Sequence, residues 1–206
     1  MNILILGCSF GAPGNGCPPE YHTENQLKLR GHKVINCARG GSSNLESLAI
    51  AEKLLACISY QVDWVVWFHT ELIRDMSSLS FEVTANLVYT NYSQFAKKHN
   101  AKLAVIGGAA PVYPTLFEYI QPDFCIPSWF NKILNLNLPQ IQTLSRLDII
   151  EGLQGIGPAR KLEILEQHEE ILNALEASDD FPDNYHVGIK PHMELAKELH
   201  EAFLRN

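Results

Sequence analysis

The sequence predicts an α/β fold, a three-layer αβα sandwich around a mostly five-stranded parallel sheet. Three observations lead there. Short apolar or β-branched runs bounded by glycine or polar residues recur along the chain. Amphipathic helical patterns separate them. The runs are nearly continuous in hydrophobicity, as strands covered on both faces must be, because helical crossovers lie over both sides of a parallel sheet. The 206 residues suit one such domain, 1–206, and are too few for two ordinary ones and a linker.

The elements follow in order. Residues 2–7 (NILILG) form a first strand ending at Gly7. A secretory leader would instead need a basic start and a longer apolar core, so the chain is read as carrying none. Further strands are expected at 33–37, at 62–68 (VDWVVWF) and at 102–107 (KLAVIG), with a short fifth near Phe124-Cys125-Ile126. Ser43-x-x-Glu46 has the spacing of a capping box, and Leu45, Leu48, Ala49, Leu55 and Ile58 then mark one helix face. Val88, Tyr92, Phe95 and Ala96 recur at helical spacing within 81–99. Near the C-terminus Pro191 suits a first helical turn, with Leu195, Ala196, Leu199 and Phe203 on one side. Pro111, Pro114, Pro122, Pro127 and Pro139 mark a loop-rich insertion around 108–145. Its aromatics, Tyr113, Phe117, Tyr119, Trp129 and Phe130, suit core packing or the lining of a cleft.

Composition narrows the function. Sixteen Lys and Arg against 23 Asp and Glu give a net charge of −7, which disfavours a nucleic-acid-binding face. The apolar runs are far shorter than the ~20 residues of a membrane helix, so no membrane association is expected. The five cysteines, at 8, 17, 37, 57 and 125, form no CxxC pair. An odd, scattered set reads as reduced thiols in a cytoplasmic protein. No His/Cys/Asp spacing suggests a metal.

In a parallel sheet, ligands bind beyond the carboxyl ends of the strands, which directs attention to the segments after residues 7, 37 and 68. The first is Gly7-Cys8-Ser9-Phe10-Gly11-Ala12-Pro13-Gly14. Its glycine spacing suggests a dinucleotide loop, but such a loop must open directly into a helix that holds the pyrophosphate. Pro13, Gly14, Gly16, Pro18 and Pro19 forbid a regular helix until about Glu20, and the second strand ends in Asn36 without an acidic residue for a ribose. The alternatives are a turn capped by Ser9 and a nucleophile at Ser9, exposed at the sheet edge. Cys8 is a rival nucleophile, but a strand-end residue before Ser9 points into the packing. Asp183-Asn184-Tyr185-His186 lies before the last helix, and a carboxylate three residues ahead of a histidine can accept from its Nδ1 and leave Nε2 to take a proton.

Together these segments resemble the SGNH/GDSL hydrolases. Gly7-x-Ser9 follows the first strand, Asn36-Cys37-Ala38-Arg39-Gly40-Gly41-Ser42-Ser43-Asn44 is similar to the family's N-x-G-x-x-G stretch, and DNYHVGIKPHMELAKEL is similar to its Asp-x-x-His-Pro block. The resemblance implies a flavodoxin-like sheet and a serine esterase needing no cofactor, acting on a small-molecule or glycan ester. It implies Ser9 as nucleophile, His186 as base, Asp183 as its orienter, and the backbone N–H groups of Ser9 and Gly41 as oxyanion donors. One block departs. Where the family has Gly-x-Asn, this chain has Trp67-Phe68-His69-Thr70-Glu71-Leu72-Ile73-Arg74-Asp75, with no asparagine. His69, Thr70 or Arg74 could supply the donor, or the hole has two members only. Thr70 is the first expectation and His69 the second, since neighbours on a strand point to opposite sides.

A competing signal comes from Leu153-Gln154-Gly155-Ile156-Gly157-Pro158-Ala159-Arg160-Lys161-Leu162-Glu163-Ile164-Leu165, which resembles a DNA-binding helix–hairpin–helix and suggests a non-catalytic binding module. Lys161 stands where a small residue is usual, and Glu163, Glu166, Glu169 and Glu170 would repel a phosphate backbone. A glycine-rich stop between two helices is the preferred reading, and nucleic acid is not an expected partner.

Overall fold

The structure, a computed structural model, describes residues 1–14, 16–76, 79–108, 112, 116–134, 173, 178–182 and 186–205. The hairpin-like stretch 153–165 and most of the predicted insertion lie outside them. Five parallel strands, β1 (Asn2–Gly7), β2 (Lys33–Asn36), β3 (Trp64–His69), β4 (Lys102–Gly107) and β5 (Phe124–Ile126), form one sheet in the order β2-β1-β3-β4-β5. Ile3 of β1 stands beside Trp64 of β3, and Gly7 beside Phe68.

The alternation of side chains along each strand sorts the core into two layers. Ile3, Ile5, Trp64, Val66, Phe68, Ala104 and Ile106 pack with helices α1 (Thr23–Leu29), α5 (Trp129–Leu134) and α6 (Ile189–Arg205). Leu4, Leu6, Val65, Trp67, Leu103 and Val105 pack on the other side with α2 (Asn44–Cys57), α3 (Phe81–Lys98) and α4 (Leu116–Tyr119). This is the predicted three-layer sandwich. The indole of Trp67 stacks on the Tyr92 ring, centroids 3.7 Å apart and nearly coplanar. Trp129 and Phe130 are core residues, 2% and 3% exposed, whereas Phe117 is exposed.

Several details differ from the sequence reading, among them the second strand, which ends at Asn36 rather than at residue 37. The third strand starts at Trp64, because Asp63 turns its carboxylate back to accept the Asn2 N–H at 2.7 Å. A 3-10 turn at Pro19–Tyr21 precedes the first helix, which opens only at Thr23, with the His22 ring accepting the Glu24 N–H. Ser43 caps α2 as expected, but the inward face of that helix is Asn44, Ser47, Leu48 and Ala51, while Ala49 and Ile58 are exposed. Asn44 and Ser47 face inward because buried polar groups on the sheet require them, as the site makes clear.

Candidate active site

The carboxyl end of β1 is built around glycine. Gly7 has φ +131°, and a Cβ there would stand 2.3 Å from the Phe68 carbonyl oxygen. Its N–H donates to Ser47 Oγ at 2.7 Å, which fixes the strand end to α2. The chain then turns tightly, and the Cys8 carbonyl accepts from the N–H groups of Gly11 (3.1 Å) and Ala12 (3.2 Å). Ser9 sits on this turn, partly exposed, while Cys8 is 1% exposed and its burial pushes the thiol up. A raised thiol pKa opposes formation of the thiolate a nucleophile needs.

Two hydrogen bonds bring the second loop alongside. The Arg39 N–H donates to the Gly7 carbonyl at 3.1 Å, and Asn36 Nδ2 donates to the Gly11 carbonyl at 2.7 Å. The segment between β2 and α2, with the exposed Gly41 at φ +77°, is thereby pinned beside the Ser9 turn.

The C-terminal loop completes the edge. A Cβ on Gly16 would lie 2.5 Å from the Cβ of His186, so only glycine lets the two backbones approach this closely. The ring of His186 stands 6.0 Å from that of Phe10, the residue after Ser9. Phe181 and Val187, each 1% exposed, anchor the loop in the core, and the Gly188 N–H donates to the Asp180 carbonyl at 2.7 Å. A cavity of about 410 Å³ adjoins this junction, lined by Gly16, Pro18, Asp179, Asp180 and Lys190 among others. A larger cavity, about 520 Å³, lies at the other end of the sheet, around the start of β4, and contains none of the predicted site residues. Asp183 falls outside the described residues.

The segment after β3 carries a dense polar network. Asn44, fully buried, accepts from Trp67 Nε1 (3.1 Å) and the Thr70 N–H (3.0 Å), and its Nδ2 donates to the Thr70 carbonyl (3.1 Å) and to Asp75 Oδ2 (2.8 Å). Asp75 also accepts the backbone N–H groups of Asn44 and Leu45, at the positive end of the α2 dipole. The Thr70 hydroxyl donates to Glu71 Oε2 at 2.7 Å, and Arg74 Nε pairs with the same oxygen at 2.6 Å. His69 lies among Trp67 and Tyr89, with its Nε2 3.4 Å from the Tyr89 hydroxyl. Thus His69 faces α3, and the Thr70 hydroxyl is directed to a carboxylate.

Behind the Ser9 turn the rings of His22 and His192 lie 4.3 Å apart, both essentially inaccessible. His192 Nδ1 is 2.8 Å from the Thr23 hydroxyl. Burial lowers the His22 pKa to about 4, and burial together with the neighbouring His22 lowers that of His192 further. His192 therefore packs, as its first-turn position suggested, and does not face the Ser9 loop as a base.

Sequence reasoning brought Ser9, Gly41 and His186 to one edge but missed Ser47, Asn44, Glu71 and Asp75. Ser47 and Asn44 lie on the face of α2 that carries Leu48 and Ala51, and a polar residue at such an inward position was the available signal. Among the described residues, no group of three or more His, Cys, Asp or Glu is arranged to hold a metal ion, and no helix is long and apolar enough to cross a membrane. All five cysteines are free thiols.

No protein-family model matches the sequence, and no curated protein matches it. Solved structures do. The chain is similar to the psychrotrophic esterase EstA from Pseudoalteromonas sp., solved inhibited by monoethylphosphonate, with 16% identity over 100% of this chain and 99% of that one and a TM-score of 0.53. It is similar to LAE5, an alpha/beta hydrolase enzyme from the metagenome of Lake Arreo, Spain, with 10% identity over 98% of this chain and 94% of that one and a TM-score of 0.50. AlinE4, an SGNH-hydrolase family esterase, matches at 15% identity over 81% of this chain and 95% of its own, with a TM-score of 0.47. At these identities the likeness is one of fold. The predicted fold holds at that level, a five-stranded parallel sheet with helices on both sides.

Proposed function

We propose that this protein is a serine hydrolase of ester bonds, acting on a small-molecule or glycan ester through an acyl-enzyme and without a cofactor. The observation that carries the reading is the seating of His186 against the turn that bears Ser9, through the Gly16 contact and the Phe10 ring. A serine hydroxyl is a weak nucleophile until an adjacent base removes its proton, so a serine and a histidine brought to one strand edge form the minimum unit for acyl transfer. Ser9 Oγ attacks the ester carbonyl and His186 takes its proton. The tetrahedral intermediate then collapses, and His186 returns the proton to the leaving alcohol. Water enters by the same route and releases the acid. Asp183 is assigned the role of holding the imidazolium, on its sequence spacing alone. The N–H groups of Ser9 and Gly41 are assigned to the oxyanion, since backbone donors fixed before the reaction need no reorganisation during it.

The test is labelling of the purified protein with a fluorophosphonate, followed by peptide mapping and a screen of an ester library beside Ser9→Ala. Modification at Ser9, with hydrolysis lost in Ser9→Ala, is the expected result. Unchanged turnover in Ser9→Ala would refute the assignment.

A further inference from the structure

The turn after β3 holds a charged pair that this chemistry does not yet use. Strands β1 and β3 are parallel and in register up to Gly7 and Phe68, so the Ser9 turn and the segment from Thr70 leave the sheet side by side. Glu71 is 6% exposed, next to Thr70 and one strand from the candidate nucleophile. A carboxylate there would repel a developing oxyanion unless a cation accompanied it. Arg74 is that cation. Its Nε is 2.6 Å from Glu71 Oε2, and its side chain is 31% exposed, so the guanidinium reaches from the buried acid toward solvent at the strand edge.

The placement of this turn is fixed from two sides. Asp75, the next residue, accepts the Asn44 and Leu45 N–H groups, which locks the turn to the start of α2, three residues after Gly41. The Thr70 hydroxyl donates to Glu71, and His69 faces Tyr89 on the α3 side. Arg74 lies in this turn directly ahead of Asp75, which ties it to the start of α2. A guanidinium carries five N–H donors and a fixed charge, a strong match for an oxygen that becomes anionic.

We propose that Arg74 donates to the oxyanion as the side-chain member of the hole, with Glu71 as the positioning residue that holds the guanidinium. The inference rests on the serine-hydrolase reading. Of the three donors the sequence offered, it selects Arg74 over Thr70, whose hydroxyl is turned to Glu71, and His69, which faces Tyr89.

The experiment uses the full chain and 4-nitrophenyl acetate, comparing wild type, Arg74→Ala, Arg74→Lys and Ser9→Ala. Removing Arg74 alone leaves Glu71 buried without its cation, so the double variant Glu71→Gln/Arg74→Ala is included, and thermal melting verifies that each variant is folded. Arg74→Ala and the double variant are expected to lose on the order of 10²–10³ in kcat with little change in KM, as for loss of an oxyanion donor. Added guanidinium ion is expected to restore part of that turnover in the double variant and none in Ser9→Ala, a recovery that a purely structural role would not give. Arg74→Lys falls between, because it keeps the charge and loses the fork. A kcat within about threefold of wild type in the folded double variant, or no response to guanidinium, overturns the proposal. Fluorophosphonate labelling separates the two levels. Labelled Ser9 with Arg74 variants at wild-type rate defeats only the Arg74 assignment, whereas an unlabelled Ser9 defeats the hydrolase reading and this one with it.

Discussion

Acid should unfold this protein well above the pH at which carboxylates protonate, and the cause is a set of buried histidines. His22, His192 and His32 are 0%, 1% and 8% exposed. Burial lowers the His22 pKa to about 4 and, with the N-terminal charge, His200 and Arg30 adding to it, that of His32 to about 4. His192 is lowered further, by burial and then by His22. In the unfolded chain each returns to about 6.5. Below pH 6.5 the unfolded state therefore binds more protons than the folded one, and stability falls as pH falls toward the folded values. For a histidine with folded and unfolded values near 4 and 6.5, the loss between pH 7.5 and pH 5 is about 2 kcal/mol, so three such groups remove about 6 kcal/mol. That is comparable with the whole stability of an ordinary domain, about 5–15 kcal/mol. Urea denaturation at about pH 7.5, 6.5, 5.5 and 5.0, across the range where a free histidine titrates, measures it. The control is His32→Phe, which keeps a ring beside Phe203 and removes one proton site, and it should recover about 2 kcal/mol of the acid loss. A denaturation midpoint flat between pH 7.5 and pH 5, or a His32→Phe variant as acid-sensitive as wild type, would refute the reasoning.

Three further outcomes follow from close contacts. Gly16→Ala puts a methyl 2.5 Å from the Cβ of His186 at φ +65°, so it should displace that histidine and sharply lower ester turnover while shifting thermal melting far less. Gly7→Ala should instead fail at the level of folding, because its Cβ would meet the Phe68 carbonyl at 2.3 Å, and circular dichroism together with soluble yield will separate it from Gly16→Ala. Asn44→Ala strips the partners from the Trp67 indole N–H and the Thr70 N–H, both buried, and should cost about 2–6 kcal/mol in urea denaturation at about 1–3 kcal/mol for each orphaned donor.

The strands were legible because a fully covered strand is written almost entirely in its own residues. NILILG and KLAVIG need no knowledge of their neighbours, and both run from the first to the last residue read from sequence. The inward face of α2 was not legible, since Asn44 and Ser47 are inward only because Trp67, Thr70 and Gly7 present N–H groups that need acceptors there. Those donors lie on strands distant in sequence, and no periodicity along the helix records them. The same limit governs the candidate site. Ser9 and His186 stood out through local glycine and Asp-x-x-His spacing. Nothing local marks Glu71 as buried, and in the fold it accepts from the Thr70 hydroxyl and pairs with Arg74. A missing asparagine directs attention to the donors that follow the strand, which is how His69, Thr70 and Arg74 came forward, with Thr70 and His69 ranked first by position at the strand end. In the fold the Thr70 hydroxyl is turned to Glu71 and His69 to Tyr89, while Asp75 fixes the turn from α2 and Glu71 pairs with the Arg74 guanidinium, contacts that alternation along one strand does not record.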